Sequence, residues 1–201
     1  MRLAWLSPLP PIASGIADYS FEILPLLAQR AKVDAITPRP GRFRRTRVPP
    51  GARVRSPEAF ARRAGSYDAV FHHLGNNPHH EFVYEAALAS PGIAVFHELV
   101  LHHMIDHLLL GMRREPGRYE RLLQAEHGSV GTRLTDLRLR GVATDFEKFL
   151  FPLTAHVARA ARAMVVHNLD ARQRLAAFGG LRFCVGVTVR PRAGLPSPEL
   201  H

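Results

Sequence analysis

Leu3 to Ser20 reads LAWLSPLPPIASGIADYS, and the order of its parts decides the fold. An apolar run of strand length, Arg2 to Leu6, meets a loop stiffened by Pro8, Pro10 and Pro11; Ser14-Gly15 then opens a helix. Apolar residues recur at Ile16, Tyr19, Ile23, Leu26 and Leu27, the spacing of one helical face, to about Arg30. Pro25 deletes one backbone donor inside that helix and should bend it. Val33 to Thr37 reads as the next strand, closed by Pro38.

Outward from this unit the same rhythm returns. After an arginine-rich loop come a weak strand near Ala52 to Arg55 and a short helix that Ser56 can cap. DAVFHHL (Asp68 to Leu74) is a strand ending at Gly75-Asn76-Asn77-Pro78, and a helix from about His79 to Ala89 follows, ended by Pro91-Gly92. IAVFH (Ile93 to His97) is a strand that runs straight into a helix at ELVLHHMIDHLLLGM. Helical pattern persists from about Arg118 to Arg140 and from about Phe151 to Ala163. AMVVHN (Ala163 to Asn168) is the last good strand and LDARQRLAAF the last good helix.

Strands that are apolar throughout and alternate with helices imply a parallel sheet covered on both faces. The expected class is α/β: a Rossmann-like open parallel sheet with helices on both faces and a helical segment at about 99–162. The domain is expected to span 1–179. Residues 180–201 read as an irregular, disordered tail in which Phe183 to Val189 forms an edge strand.

Composition narrows the classes. The chain of 201 residues carries a formal net charge of +10, nearly all from arginine, since Lys32 and Lys148 are the only lysines. Such a bias, with many Ala, Gly and Pro, is what a GC-rich genome gives without selection for binding. One cluster exceeds it, RPGRFRRTRVPPGARVR (Arg39 to Arg55), and its Pro and Gly make it a loop. That loop is a candidate for contact with anionic lipid or a polyanion. Nucleic acid is not expected, because Phe43 is the only aromatic among its arginines. No apolar stretch has the length of a membrane span, the N-terminus lacks signal-peptide character, and the single Cys184 fits a reducing compartment. The expected location is the cytoplasm, at most peripheral to the inner face of the membrane.

In an open parallel α/β sheet, ligands bind beyond the carboxyl ends of the strands. There the sequence places Ser14-Gly15-Ile16, His72-His73 with Asn76-Asn77, His97-Glu98 and His167-Asn168. Each taken singly reads equally as a loop residue or a cap; their coincidence on one rim carries more. A helix starting at Gly15 presents free N–H groups and the positive end of its dipole, and glycine admits an anionic or sugar group close to the main chain. The other reading is a plain Ser14 cap behind a rigid connector. HELVLH is close to a zinc-protease motif, but His97 and His102 are five apart and diverge on a helix. No metal site is expected.

Five collinear blocks resemble the N-terminal lobe of family-4 glycosyltransferases of the GT-B fold: SPLPPIASGIADYSFEILPLLA, VFHHLGNNPHHEFVYEAAL, PGIAVFHELVLHHMI, FPLTAHVARAARAMVVHN and ARQRLAAFG. The resemblance runs in order from Met1 to about Gly179. It implies an acceptor-side lobe of a retaining, metal-independent enzyme that uses a nucleoside-diphosphate sugar as co-substrate, with no other cofactor. By the same resemblance, Ser14, Gly15 and Ile16 approach the donor diphosphate. His97 hydrogen-bonds sugar or acceptor hydroxyls, and Asp18, Asn76, Asn77, His167 and Asn168 lie where a glycan, lipid or small-molecule acceptor binds. Relatives often carry two adjacent glycines where this chain has only Gly15. The family's donor-binding lobe does not fit in the residues after Gly179, so the expectation is a fragment with little activity alone. The alternatives are a non-catalytic module whose rim docks a separate donor-domain protein, and a stand-alone nucleotide or polyanion binder.

Overall fold

The computed structural model describes residues 1–38 and 47–178, together with the backbone of Cys184–Gly186. Most of the arginine loop and the tail beyond Phe178, apart from that short strand, therefore lie outside the described residues.

Among the described residues, seven strands form one sheet: β1 (Arg2–Leu6), β2 (Lys32–Ile36), β3 (Arg53–Arg55), β4 (Ala69–Leu74), β5 (Ile93–Phe96), β6 (Ala163–Val166) and β7 (Cys184–Gly186). Their order is β3-β2-β1-β4-β5-β6-β7, and every pairing is parallel. This is the expected Rossmann-like arrangement, with the strand order reversing direction between β1 and β4.

Side chains alternate across the sheet, so register decides which residues share a face. Ala4, Leu6, Leu74, Ala94, Phe96, Met164 and Val166 share one face and form the larger core. Over it lie α2 (Pro57–Ala61), α3 (Glu81–Ala89), the helical insertion described below, and α9 (Leu169–Ala176), through Phe60, Tyr84, Met104, Val157 and Leu175. Leu3, Trp5, Val33 and Ala35 point the other way and pack on Leu24 of α1 (Gly15–Ala28). Pro25 stands inside α1 without ending it.

The segment between β5 and β6 departs most from the sequence reading. β5 does not run into a helix: residues 97–101 form a loop, held where Leu101 N–H donates to Pro152 O at 2.9 Å and Thr154 Oγ donates to Leu99 O. The insertion then comprises α4 (His102–Asp106), continuing as a π-helical turn (His107–Met112), α5 (Pro116–His127), α6 (Ser129–Leu139), α7 (Glu147–Leu150) and α8 (Ala155–Ala160). The helix expected over 118–140 is broken at Gly128, whose φ of +60° folds α6 back on α5. The helix expected from Phe151 starts only at Ala155, because Leu153 has a φ of +52° and takes the backbone out of the helical region. The helix expected from His79 begins at Glu81, after a 3₁₀ turn over Pro78–His80.

Polar contacts fix this insertion. His102 donates from Nδ1 to Phe151 O at 2.5 Å, which leaves Nε2 to accept the Tyr119 hydroxyl at 2.5 Å. Buried Lys148 holds α7 against α4 through Asp106 at 2.5 Å and also pairs with Asp145 at 2.9 Å. Glu126 accepts both the backbone N–H and the ring Nδ1–H of His156, at 2.8 and 2.6 Å, while His156 Nε2 accepts the Tyr84 hydroxyl at 2.9 Å. Burial opposes the charge on Glu126, but the His156 hydrogen bonds hold its carboxyl below the ordinary value. Glu126→Ala strands the part-buried His156 donors and the network behind them, and is expected to cost about 3 kcal/mol in urea unfolding. A loss under about 1 kcal/mol would contradict this account of the insertion.

Among the described residues, no helix is long and apolar enough to cross a membrane.

Candidate functional site

The carboxyl ends of β1, β4, β5 and β6 and the start of α1 meet on one rim. The proline loop is held there by a relay of hydroxyls: Trp5 Nε1–H donates to Ser20 Oγ at 3.0 Å, Ser20 donates to Ser7 Oγ at 2.7 Å, and Ser7 donates to Pro8 O at 3.0 Å. All three side chains are buried. The loop is thus locked to its own helix before any ligand arrives, which lowers the ordering entropy of binding.

Ser14 is the N-cap of α1, and its Oγ accepts the Ile16 N–H at 3.3 Å. The expected cap is real, so a ligand finds the helix dipole and the Gly15 N–H here, with the Ile16 donor already engaged. Gly15 is exposed, and a Cβ built on it would meet no protein atom within 4 Å. Packing therefore does not require glycine at this position. Packing does require it at Gly75, where a Cβ would come within 2.6 Å of Ile16 Cδ1 and 2.9 Å of His80 Nε2. That close approach seats the first turn of α1 beside the end of β4. Asp18, on the same turn, is exposed.

Next to this turn lies a run of aromatic rings. His73 Nδ1 and His97 Nε2 share a hydrogen bond of 3.0 Å. The His97 and His167 rings lie 4.7 Å apart, centroid to centroid. Tyr19 of α1 faces both, at 5.1 and 5.8 Å, and the His73 ring packs on Trp5 at 3.9 Å. Register explains the grouping: Trp5 pairs with Phe71, His73 with Val95, and Val95 with Val165. Two residues on, just past the ends of β5 and β6, come His97 and His167, whose rings lie on the same side as His73.

Burial keeps these imidazoles neutral. It pushes His97 down to about 3, with nearby His167 and His80 acting in the same direction. His73 is held well below its ordinary value by burial and by His97, and His167 is lowered by burial. One ring of the His73–His97 pair donates and the other accepts. His97 Nδ1 is then left to face a cleft of about 290 Å³ lined by His97, Glu98, His167, Asn168, Asp170 and Arg174. Arg174 is turned toward Asp170, at 2.9 Å.

The three asparagines have local work. Asn76 shares a 2.8 Å hydrogen bond with His103 Nδ1 and accepts the Met104 N–H at 3.2 Å, which fastens α4 to the rim. Asn77 accepts the His79 N–H at 3.0 Å, and Asn168 caps α9 by accepting the Ala171 N–H at 2.7 Å. Of the residues expected at the site, His97 and His167 line the rim cleft, and Gly15 and Asp18 are exposed on the first turn of α1. Ser14, Asn76, Asn77 and Asn168 shape it through these bonds, and Ile16 buries its side chain.

Sequence reasoning placed His73 on the rim without a role and missed Tyr19 and Trp5 as site residues. Tyr19 reads as one more apolar helical position, and His73 joins His97 only once the register of β4 on β5 is known.

Among the described residues, no group of three or more His, Cys, Asp or Glu could hold a metal ion. Comparison with protein-family models, with curated proteins and with solved structures finds no match to this chain.

Proposed function

We propose that the chain is the acceptor-side lobe of a GT-B glycosyltransferase that retains configuration and takes a nucleoside-diphosphate sugar as donor. One observation carries the reading: a dipole-bearing helix start with an unencumbered glycine stands beside a neutral His73–His97 pair on the carboxyl rim of a parallel sheet. Each part suits such a substrate. The α1 terminus favours the negative charge that develops on a departing diphosphate. A neutral His97 can donate to or accept from a sugar hydroxyl without the desolvation cost of a buried cation. Tyr19 offers an aromatic face against which a sugar ring can rest.

The rim supplies one wall of a binding cleft, so the isolated chain is expected to bind a nucleoside-diphosphate sugar only weakly and to turn it over poorly. Calorimetric titration of the purified chain at two salt concentrations checks this. Micromolar affinity with turnover would overturn the half-site reading, and steep salt dependence without sugar preference would replace it with a polyanion binder. Gly15→Val adds bulk only toward open space. Thermal stability is expected to stay within about 1 kcal/mol of the parent while the weak donor signal is lost. An unchanged donor signal would remove α1 from the site.

A second reading, a module whose rim docks another protein, is favoured by Phe146, Phe149 and Leu150, which are exposed; the Phe149 ring sits 5.1 Å from His103 at the edge of the rim. Sedimentation of the chain mixed with a separately produced nucleotide-sugar-binding domain, with and without Phe149→Ser, separates the two.

A further inference from the structure

Toward the amino ends of β1 and β2, away from the candidate site, the sheet gathers a second set of charges, which Arg55 joins by reaching Asp34 from the last position of β3. Arg2 pairs in register with Lys32, Ala4 with Asp34, and Asp34 with Arg53. Residues two apart share a face, so Arg2, Lys32, Asp34, Arg53 and Arg55 all point to the same side of β1, β2 and β3. With Arg63, from the connection between α2 and β4, they line a cleft of about 490 Å³.

The charges are not balanced within the cleft. Among the described residues, Asp34 is the only acid in its lining. Its Oδ2 accepts Arg2 Nη2 at 2.9 Å, Arg55 Nε at 2.7 Å and the Tyr67 hydroxyl at 2.8 Å. Burial opposes the charge on Asp34, but the hydrogen bonds from Arg2, Tyr67 and Arg55 hold its carboxyl below the ordinary value. Asp34 thus stays ionised and fixes two guanidinium planes. Arg2 is further held over the Tyr67 ring at 4.7 Å. Arg55 is gripped only through Nε, so its two Nη groups, the paired donors that match a phosphate edge, remain without a partner among the described residues. Lys32, Arg53 and Arg63 are exposed and make no ion pair among the described residues. Three unmatched cations around an oriented arginine fork call for an anion of two or three charges.

We propose that this amino-end cleft binds a diphosphate group, with Arg55 as the bidentate anchor and Lys32, Arg53 and Arg63 neutralising its remaining charge. The site does not depend on the glycosyltransferase reading, because its cleft, on β1 to β3, shares no lining residue with the rim cleft at His97 and His167. A diphosphate reaches it as a free ion or as a lipid headgroup.

The test titrates inorganic pyrophosphate into the full chain by calorimetry, beside the Arg53→Glu/Arg63→Glu double variant. Both positions are exposed and outside the Asp34 network, so the variant is expected to melt at the parent temperature. Pyrophosphate binding is expected to weaken at least tenfold (about 1.4 kcal/mol) in the variant. Lys32→Glu, made separately, gives the same direction should the double variant fold poorly. Equal affinity in parent and variants, or parent binding that sodium chloride of matched ionic strength abolishes equally for pyrophosphate and sulfate, would overturn the proposal. Vesicles of phosphatidylcholine with and without a diphosphate-headgroup lipid decide the source: co-sedimentation of the parent but not the variant assigns a lipid, and pyrophosphate binding without co-sedimentation assigns a soluble ligand. Absence of both would overturn it.

Discussion

Acidification from about pH 7 to about pH 5 is expected to remove most of the stability of the fold. The cause is a set of histidines buried in the neutral form. Burial pushes His72, His80 and His102 down to about 4, each against a partial gain from a backbone hydrogen bond, to Ser90, His73 and Phe151 respectively. In the unfolded chain these groups titrate near 6.5. A histidine whose folded value lies below its unfolded value contributes stability that is complete above about 6.5 and declines as pH falls toward the folded value. By pH 5 each has lost about 2 kcal/mol, together on the order of 6 kcal/mol, comparable with the whole stability of an ordinary domain. His97, His73 and His167 move in the same direction, so the candidate site is lost with the fold. Melting temperatures across this range check the claim; a flat profile down to about pH 5 would contradict it.

Gly131→Ala is expected to be the most damaging single methyl in the insertion. A Cβ there would lie 2.2 Å from the Leu123 carbonyl oxygen and 2.9 Å from the Gln124 nitrogen. Both are backbone atoms of α5, so no side-chain rotation relieves the overlap. The α5–α6 hairpin must separate, taking Leu123 and Leu134 out of the core they share with Tyr119. A loss of about 3 kcal/mol or more in urea unfolding is expected, well beyond the usual effect of a surface substitution. Faster hydrogen exchange confined to α5 and α6 would be the local signature. A variant as stable as the parent would mean that the two helices do not cross this closely.

The legibility of the fold in the sequence follows the range of the interactions involved. β1, β4, β5 and β6 are legible as apolar runs because a strand buried on both faces needs no partner to declare itself. The start of α1 at Gly15 and the cap at Ser56 are local signals and read correctly; Ser14 reads equally as cap or ligand contact and caps α1, and Asn168, expected at the acceptor, caps α9. Residues 97–162 were less legible. Gly128 and Leu153 break helices that periodicity alone continues, and the loop after β5 exists because Pro152 and Thr154, more than fifty residues away, hold it.

The site divides in the same way. His97 and His167 could be placed on one rim from strand ends alone, but their alignment with His73 depends on sheet register. Asn76 and Asn77 share the rim composition of ligand-binding residues, yet their amides serve His103, Met104 and His79. A polar residue at a strand end signals the rim; its neighbours decide whether it faces a ligand or holds a loop.

In the proposed function the carboxyl rim, with Gly15, Tyr19, His97 and His167 together, receives the sugar and phosphates of a nucleotide donor. Amide and imidazole NMR shifts recorded during titration with a nucleoside-diphosphate sugar test it most directly. The account predicts perturbations concentrated at Gly15 to Tyr19, at His73 and His97, and at His167. Perturbations at Lys32, Arg53 and Arg63 alone, or at no defined set of residues, would contradict it.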